Sequence, residues 1–412
     1  MTNSIQTPTF LFEKDMTGTP NSIAKRLGYY RNILGYLYNH SQTSVADIVN
    51  YISLSQPLVA VLFSELMDYG IIQESGVGAS IGGRPPKVFA LNPDYQYVVG
   101  IDVSLHSVRI ALFNLHNEIL YRHEYRPMEL ENTTGYADTL CKVIDRCLAK
   151  MNIGAERILA CGLSLPGLVD ADKGFAFTHL SCFPKGISTY LEEKLGFSVL
   201  LENDSNMMAM GEKWFGLAVE KQHVLCVYMG NGIGLGITID GTIYRGAQGL
   251  SGEFGHILID PDGDLCSCGK IGCLETLCSG TVITQKINAA LHNGQVSLLT
   301  NSLNEDGEVY LDDIVKAISD GDQFSIDQLA TAGNYLGRGL ATLIHLFNPE
   351  LIIIGGKLAH TGKYILDPVE QALNKYLMTQ FREKTEIVCS KLLDNATLMG
   401  TMAHVMSRVI NR

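Results

Sequence analysis

Between Ser22 and Asn39 the apolar residues Ile23, Leu27, Tyr30, Ile33, Leu34 and Leu37 return at helical spacing. Ser44 stands where it would cap a second helix over Val45 to Tyr51. Ser55 would cap a third over Leu58 to Tyr69, with Pro57 near its first turn and Gly70 as its stop. Two strand-like runs follow, Ile71 to Glu74 and Val88 to Leu91. They flank the turn-rich segment from Ser75 to Lys87, which contains Gly82-Gly-Arg-Pro-Pro86.

Three short helices with a tight turn before the third predict a helix-turn-helix, and the hairpin behind it predicts a wing. Arg84 and Lys87 at the wing suit a thin basic finger entering a minor groove. Lys25, Arg26 and Arg31 are expected at phosphates, with Ser55 and Gln56 toward base edges. The third helix carries neither Lys nor Arg, so few base contacts are expected. A small helical docking domain is the alternative for the three helices alone.

From Tyr97 the pattern changes to alternating strand and helix. Tyr97–Val103, Val108–Leu115 and Glu118–Arg126 read as consecutive strands. A helix with Leu140, Val143, Ile144, Cys147 and Leu148 on one face follows, then a strand over Ile158–Leu165. A second round opens at His223, with strands over Val224–Met229, Gly234–Asp240 and Thr242–Arg245, later helices, and the buried run Leu351 to Ile354. Two such rounds predict a duplicated, two-lobed α/β fold with its ligand between the lobes. The expected division is residues 1–92, 93–222 and 223–412, with the last helix allowed to return to the first lobe.

Charge sharpens this division. The net charge of −12 over 412 residues argues against indiscriminate nucleic-acid binding. Residues 1–92, however, hold six Lys/Arg and six Asp/Glu, so the whole excess lies in residues 93–412. A hydrophobic content of 46% excludes a disordered chain. No apolar run reaches the eighteen or so residues of a membrane-spanning helix, and the start lacks a basic-then-apolar leader. A cytoplasmic location without membrane insertion is therefore expected.

Of the ten cysteines, Cys266, Cys268, Cys273 and Cys278 cluster. His256 with Cys266, Cys268 and Cys273 makes one imidazole and three thiolates, the donor set of a closed structural zinc site. Gly269 and Gly272 permit the turns between ligands, and Cys278 is left as a buried thiol. Unconnected buried thiols are the alternative. Glu202-Asn-Asp-Ser-Asn206 follows the apolar strand Ser198–Leu201 and precedes a helix expected at Met207. Asn203, Asp204, Glu253 and Glu275 would together hydrogen-bond vicinal sugar hydroxyls, although Asn203 and Asp204 also suit a plain helix N-cap. Nine glycines lie from Gly230 to Gly255, where backbone N–H groups can approach a phosphate or a hydroxyl, or simply form tight turns.

These motifs resemble the ROK family (repressors, open reading frames and sugar kinases) over nearly the whole chain. The matching text is Leu165-Pro-Gly-Leu-Val-Asp170, Glu202 to Asn206, Gly249-Leu-Ser-Gly-Glu-Phe-Gly-His256 and the Cys266 to Glu275 segment. The resemblance implies an actin-like sugar-kinase fold and zinc on His256, Cys266, Cys268 and Cys273. It implies sugar contacts from Gly167, Asn203, Asp204, Glu253, His256 and Glu275. In the kinase branch the residue matching Asp204 is the base that activates the sugar hydroxyl. The winged module resembles the repressor branch, which implies operator DNA and a sugar or sugar phosphate as partners of a homodimer or homotetramer. Where kinases carry Asp-x-Gly-Gly-Thr, this chain has Asp102-Val-Ser-Leu-His106, and Leu105 and His106 are expected to crowd nucleotide phosphates. The expectation is a regulator that keeps the sugar pocket and has lost most kinase activity, with residual turnover left open; an atypical sugar kinase is the alternative.

Overall fold

The computed structural model describes residues 21–78, 85–382 and 384–410. The N-terminal module opens with α1 (Asn21–His40). Then come β1 (Thr43–Ser44), α2 (Val45–Ile52), α3 (Gln56–Asp68), β2 (Ile72–Val77) and β3 (Lys87–Leu91). Its helices form where expected because the polar punctuation is physically satisfied. The Ser44 hydroxyl accepts the Asp47 N–H while the Asp47 carboxylate accepts the Ser44 N–H, a reciprocal capping box. Ser55 differs from expectation: it occupies the N-cap position, but its side chain makes no cap hydrogen bond. The third helix accordingly begins at Gln56, with Pro57 filling a first-turn position whose N–H needs no partner. β2 and β3 pair antiparallel, as the wing requires, and β1 adds a short third strand through Thr43 and Ser44 opposite Phe89 and Val88. Arg84 and the tip of the wing lie outside the described residues.

The first lobe continues with β4 (Tyr97–Val103), β5 (Val108–Phe113), β6 (Ile119–Tyr125), α4 (Thr134–Met151) and β7 (Ile158–Leu165). The two-stranded β8 (Val169–Asp170) and β9 (Phe175–Ala176) precede α5 (Ile187–Leu195), β10 (Val199–Asn203) and α6 (Asp204–Phe215). The second lobe holds β11 (Val224–Met229), β12 (Ile233–Ile239), β13 (Thr242–Ile243), α7 (Glu275–Cys278), α8 (Gly280–His292) and α9 (Leu311–Ser319). It ends with α10 (Gln323–Phe347), β14 (Leu351–Gly355), α11 (Lys363–Tyr376), α12 (Thr379–Arg382) and β15 (Glu386–Cys389), after which comes α13 (Asn395–Val409).

The two five-stranded sheets run β10-β7-β4-β5-β6 and β13-β12-β11-β14-β15. In each, the first strand pairs antiparallel with the second and parallel with the fourth, so one sheet repeats the topology of the other. The duplication read from the sequence is thus present. β10 runs two residues further than the apolar stretch suggested and α6 starts at Asp204 rather than Met207, because Asn203 itself caps the helix. α13 packs on β4 and β7, returning the chain to the first lobe.

The N-terminal module is not suspended on a linker. Leu34, Leu37, Phe63, Ile71 and Leu91 share one apolar core with Val98 and Phe113 of the first sheet and with Met402, Met406 and Val409 of α13. Burying a Leu- or Phe-sized side chain is worth roughly 1.5–3 kcal/mol, so a joint core of this kind ties the module firmly to the lobe.

Candidate functional site

At the C-terminal end of β10 the Asn203 side chain accepts the backbone N–H groups of Ser205 and Asn206 and donates through Nδ2 to the Gly167 carbonyl at 3.1 Å. The N-cap role and the site position are therefore held by one residue. The hydrogen bond to Gly167 fixes its amide beside the loop after β7. Gly167 sits at φ +80°, and a side chain there would meet Thr178. Asp204, the first residue of α6, accepts its neighbour Ser205 N–H at 2.7 Å. Burial, with the nearby Asp102 carboxylate second, pushes the Asp204 carboxyl up to about 7.

From the second lobe, Glu253 lies 3.8 Å from His256 Nε2, and Glu275 accepts the Ile233 N–H at 3.1 Å. A side chain at Gly232 would approach the Glu275 carboxylate to 2.9 Å, which explains glycine there. Burial pushes the Glu253 carboxyl up, although the His256 ring opposes this. Arg245, in the loop that carries Glu253, reaches back to the first lobe and donates from Nε to Glu202 Oε2 at 2.7 Å. Sequence reading missed this cross-lobe ion pair; its only trace was an acidic residue beside Asn203.

The predicted metal ligands converge. His256, Cys266, Cys268 and Cys273 bring one donor atom each within 4.8 Å of one another. His256 turns Nδ1 toward Cys266 Sγ at 3.5 Å, and the Cys268 and Cys273 sulfurs are 3.7 Å apart. A tetrahedral zinc with bonds of about 2.3 Å to sulfur and 2.0 Å to nitrogen implies separations of about 3.5 and 3.8 Å. The residues therefore fit a tetrahedral cation. Burial and the neighbouring thiols push Cys273 up to about 12, a crowding of potential anions that a divalent ion relieves. Cys278 lies apart from the cluster, buried on α7.

None of the predicted sugar-contacting residues lines the large cleft between the lobes, a space of about 750 Å³. Ser104, Ser107, Arg109, Gly230, Asn231 and Gly356 are among the residues that line it. His106 lines it and pairs with Glu129 at 2.6 Å. Leu105, expected to crowd the same space, does not line it. The decisive side chain is Arg109, which the sequence reading did not single out. Its guanidinium pairs with Asp102, donates to the Asp394 carbonyl at 2.6 Å and lies 3.7 Å from the Asp394 carboxylate. Lys357 bridges Asp312 and Asp394 at 3.2 and 3.4 Å, and Arg126 of the first lobe pairs with Asp312 of the second. The lining thus holds three permanent cations, Arg109, Arg126 and Lys357, against five carboxylates, Glu124, Glu129, Glu308, Asp312 and Asp394.

On the N-terminal module the residues expected at DNA divide into two groups. Lys25, Ser55 and Gln56 are exposed and Arg31 is half-buried. Arg26 pairs with Glu65 and donates to Tyr30 at 3.2 Å, and Lys87 pairs with Glu74 at 2.7 Å. The outward face of α3 presents Gln56, Ala60, Val61 and Ser64.

The match to the ROK family model spans residues 98–408, so the chain belongs to the ROK family. The xylose repressor of Caldicellulosiruptor bescii is 30% identical over 374 residues, 90% of this chain and 92% of that one. A crystal structure of a ROK family transcriptional regulator, described as a homologue of the Escherichia coli MLC protein, superposes with a TM-score of 0.77. It is 27% identical and covers 94% of this chain and 96% of its own. A ROK family glucokinase from Streptomyces griseus, solved with glucose and AMPPNP, superposes at 0.64 with 29% identity. It covers 97% of its own chain and only 74% of this one.

Proposed function

We infer that this protein is a sugar-responsive, DNA-binding transcriptional repressor whose ROK body binds a sugar or sugar phosphate and thereby alters operator affinity. The observation that carries this reading is the winged helix packed into the ROK body, in a chain that matches a repressor along nine-tenths of its length while a kinase of the family matches only three-quarters. The division into residues 1–92, 93–222 and 223–412 follows, with α13 assigned to the first lobe.

Gly167, Asn203, Asp204, Glu253, His256 and Glu275 form the proposed sugar site. Carboxylates and amides drawn from both lobes suit vicinal hydroxyls, and a ligand bridging them favours a closed arrangement of the lobes. The ligand shifts the equilibrium only by its differential affinity for the two arrangements, with roughly 5.5 kcal/mol needed for a 1:99 to 99:1 swing. Zinc is the proposed occupant of the His256, Cys266, Cys268 and Cys273 site. When bound it supplies a structural cross-link, which leaves His256 Nε2 directed at Glu253 and holds Glu275 in place.

Lys25, Arg31, Arg84 and Lys87 are proposed for phosphate or groove contacts and Ser55 and Gln56 for base edges, with Arg26 serving the module's own fold. A two-fold-related operator implies a homodimer or homotetramer. A cytoplasmic location is proposed with this function; no single helix among the described residues is long and apolar enough to cross a membrane.

Phosphoryl transfer depends on positioning and charge stabilisation. Here Arg109 occupies Asp102 and the cleft lining is net negative, which opposes a polyphosphate; the reading therefore excludes ordinary kinase turnover. The test uses purified protein, genomic fragments selected for binding, and a panel of D-xylose, D-glucose, N-acetyl-D-glucosamine and their 6-phosphates where these exist, alongside ATP turnover. Operator binding changed by one sugar, without ATP consumption, is expected. Sugar-dependent turnover at ordinary enzyme rates, about 1–10³ per second, overturns it.

A further inference from the structure

α6 has the proposed sugar site at one end and the DNA-binding module at the other. Its first turn is built on Asn203 and Asp204. Twelve residues later it ends at Trp214 and Phe215, a rod of about 18 Å. The Trp214 ring meets Tyr38 of α1 edge-on, with centroids 5.7 Å apart. Tyr38 also donates its O–H to Asn117 of the first lobe.

A second helix packs tightly against this rod. α6 lies along α13 so closely that a methyl group added at Gly211 would overlap the Ala396 carbonyl, and one added at Gly400 would overlap that of Met207. Close-packed helices of this kind leave little free volume between them and transmit strain from one to the other. The far end of α13 supplies Met402, Met406 and Val409 to the core that holds Leu34, Ile71 and Leu91. At the near end, Glu202 receives Arg245 from the sugar loop of the second lobe and accepts the Asn203 N–H at 2.9 Å. Glu202 thus connects that loop to the residue that caps α6.

We propose that the α6–α13 pair is the rigid link carrying sugar occupancy to the winged helix, and that the Tyr38–Trp214 contact is where α6 hands the motion to α1. Tyr38 and Trp214 are positioning residues in this scheme, remote from both sugar and DNA. The proposal rests on the sugar-responsive reading above and specifies its route.

Trp214 is the only tryptophan of the chain, so its emission reports this contact without labelling. The full-length protein is titrated with D-xylose, D-glucose and N-acetyl-D-glucosamine, and thermal stabilisation identifies which one binds. That sugar is expected to shift Trp214 emission at the same half-saturating concentration. The 6-phosphates of the two hexoses are titrated in the same way. Stabilisation with silent emission overturns the proposal while leaving effector binding intact, and no stabilisation by any of these sugars or sugar phosphates defeats the underlying reading and the proposal together. In Tyr38→Leu, sugar affinity and sugar-free operator affinity are expected within threefold of wild type. The ratio of operator affinities without and with sugar should fall from tenfold or more to below threefold. Tyr38→Phe keeps the ring and is expected to restore that ratio. An unchanged ratio in folded Tyr38→Leu refutes the route, and Trp214→Phe provides the same measurement from the other side of the contact.

Discussion

The guanidinium of Arg109 pairs with the carboxylate of Asp102, and both side chains are almost withdrawn from solvent, at 11% and 5% exposure. An arginine is thus fixed where the first strand pair opens on the inter-lobe cleft. Removing one partner of a buried pair leaves an uncompensated charge, so Arg109→Ala should cost about 3 kcal/mol or more in denaturant unfolding. It should not create ATP turnover, since the cleft becomes more negative. A stable variant that hydrolyses ATP with sugar would contradict this assignment.

The thiol cluster predicts one zinc per chain by elemental analysis. Cys273→Ser should lose the metal and lower the melting temperature, and a strong chelator should do the same to the wild type. Cys182→Ser, at an exposed thiol outside the cluster, should retain full metal content. Equal metal loss in both variants would remove the site.

Asp204 gives stability a definite pH slope. Its folded pKa of about 7 exceeds the ordinary aspartate value, so the native state binds an extra proton across the interval between them. The associated stability is complete below about pH 4 and is lost as pH rises through about 7. Asp204→Asn should therefore gain on the wild type between about pH 5 and 8, by up to ~3 kcal/mol, in parallel unfolding curves. A constant difference between the two proteins over that range would show that Asp204 titrates normally.

Ser44 and Ser55 look alike as helix caps but differ in their hydrogen bonds. Ser44→Ala breaks a capping box and should cost about 1 kcal/mol, whereas Ser55→Ala should stay within about 0.5 kcal/mol. Thermal denaturation of the two variants checks the contrast, and equal losses would contradict it.

Lys25 and Arg26 are neighbours with different assignments. Lys25→Ala should reduce the salt dependence of operator binding by about one unit of slope, the signature of a lost phosphate contact. Arg26→Ala should leave that slope unchanged and act on stability through Glu65 and Tyr30. Salt titrations of operator affinity separate them; a reduced slope in Arg26→Ala would place its charge on DNA.

Much of this was legible in one dimension because it depends on local periodicity. The strands over Ile158–Leu165 and Val224–Met229, the capped helix after Ser44 and the duplicated order of elements follow from side-chain spacing and turn chemistry. Cys266, Cys268 and Cys273 sit close enough in sequence for ligand spacing to be read directly. Where boundaries moved, a polar residue had joined a regular element, as Glu202 and Asn203 do at the end of β10.

What tertiary structure alone decided is which distant groups meet. Arg109 finds Asp394, 285 positions away, and Arg245 finds Glu202, 43 positions away. Tyr38 packs on Trp214, and α13 returns to the first sheet and shares one apolar core with that sheet and the winged helix. No spacing rule encodes such pairs, because the path between partners is set by the packing of whole lobes. By itself the sequence determined a winged module, two repeated lobes and a His/Cys cluster with the donor set for a cation. Only the fold decided that Asp102 is paired with Arg109, and that one helix reaches from the proposed sugar site to the DNA-binding module.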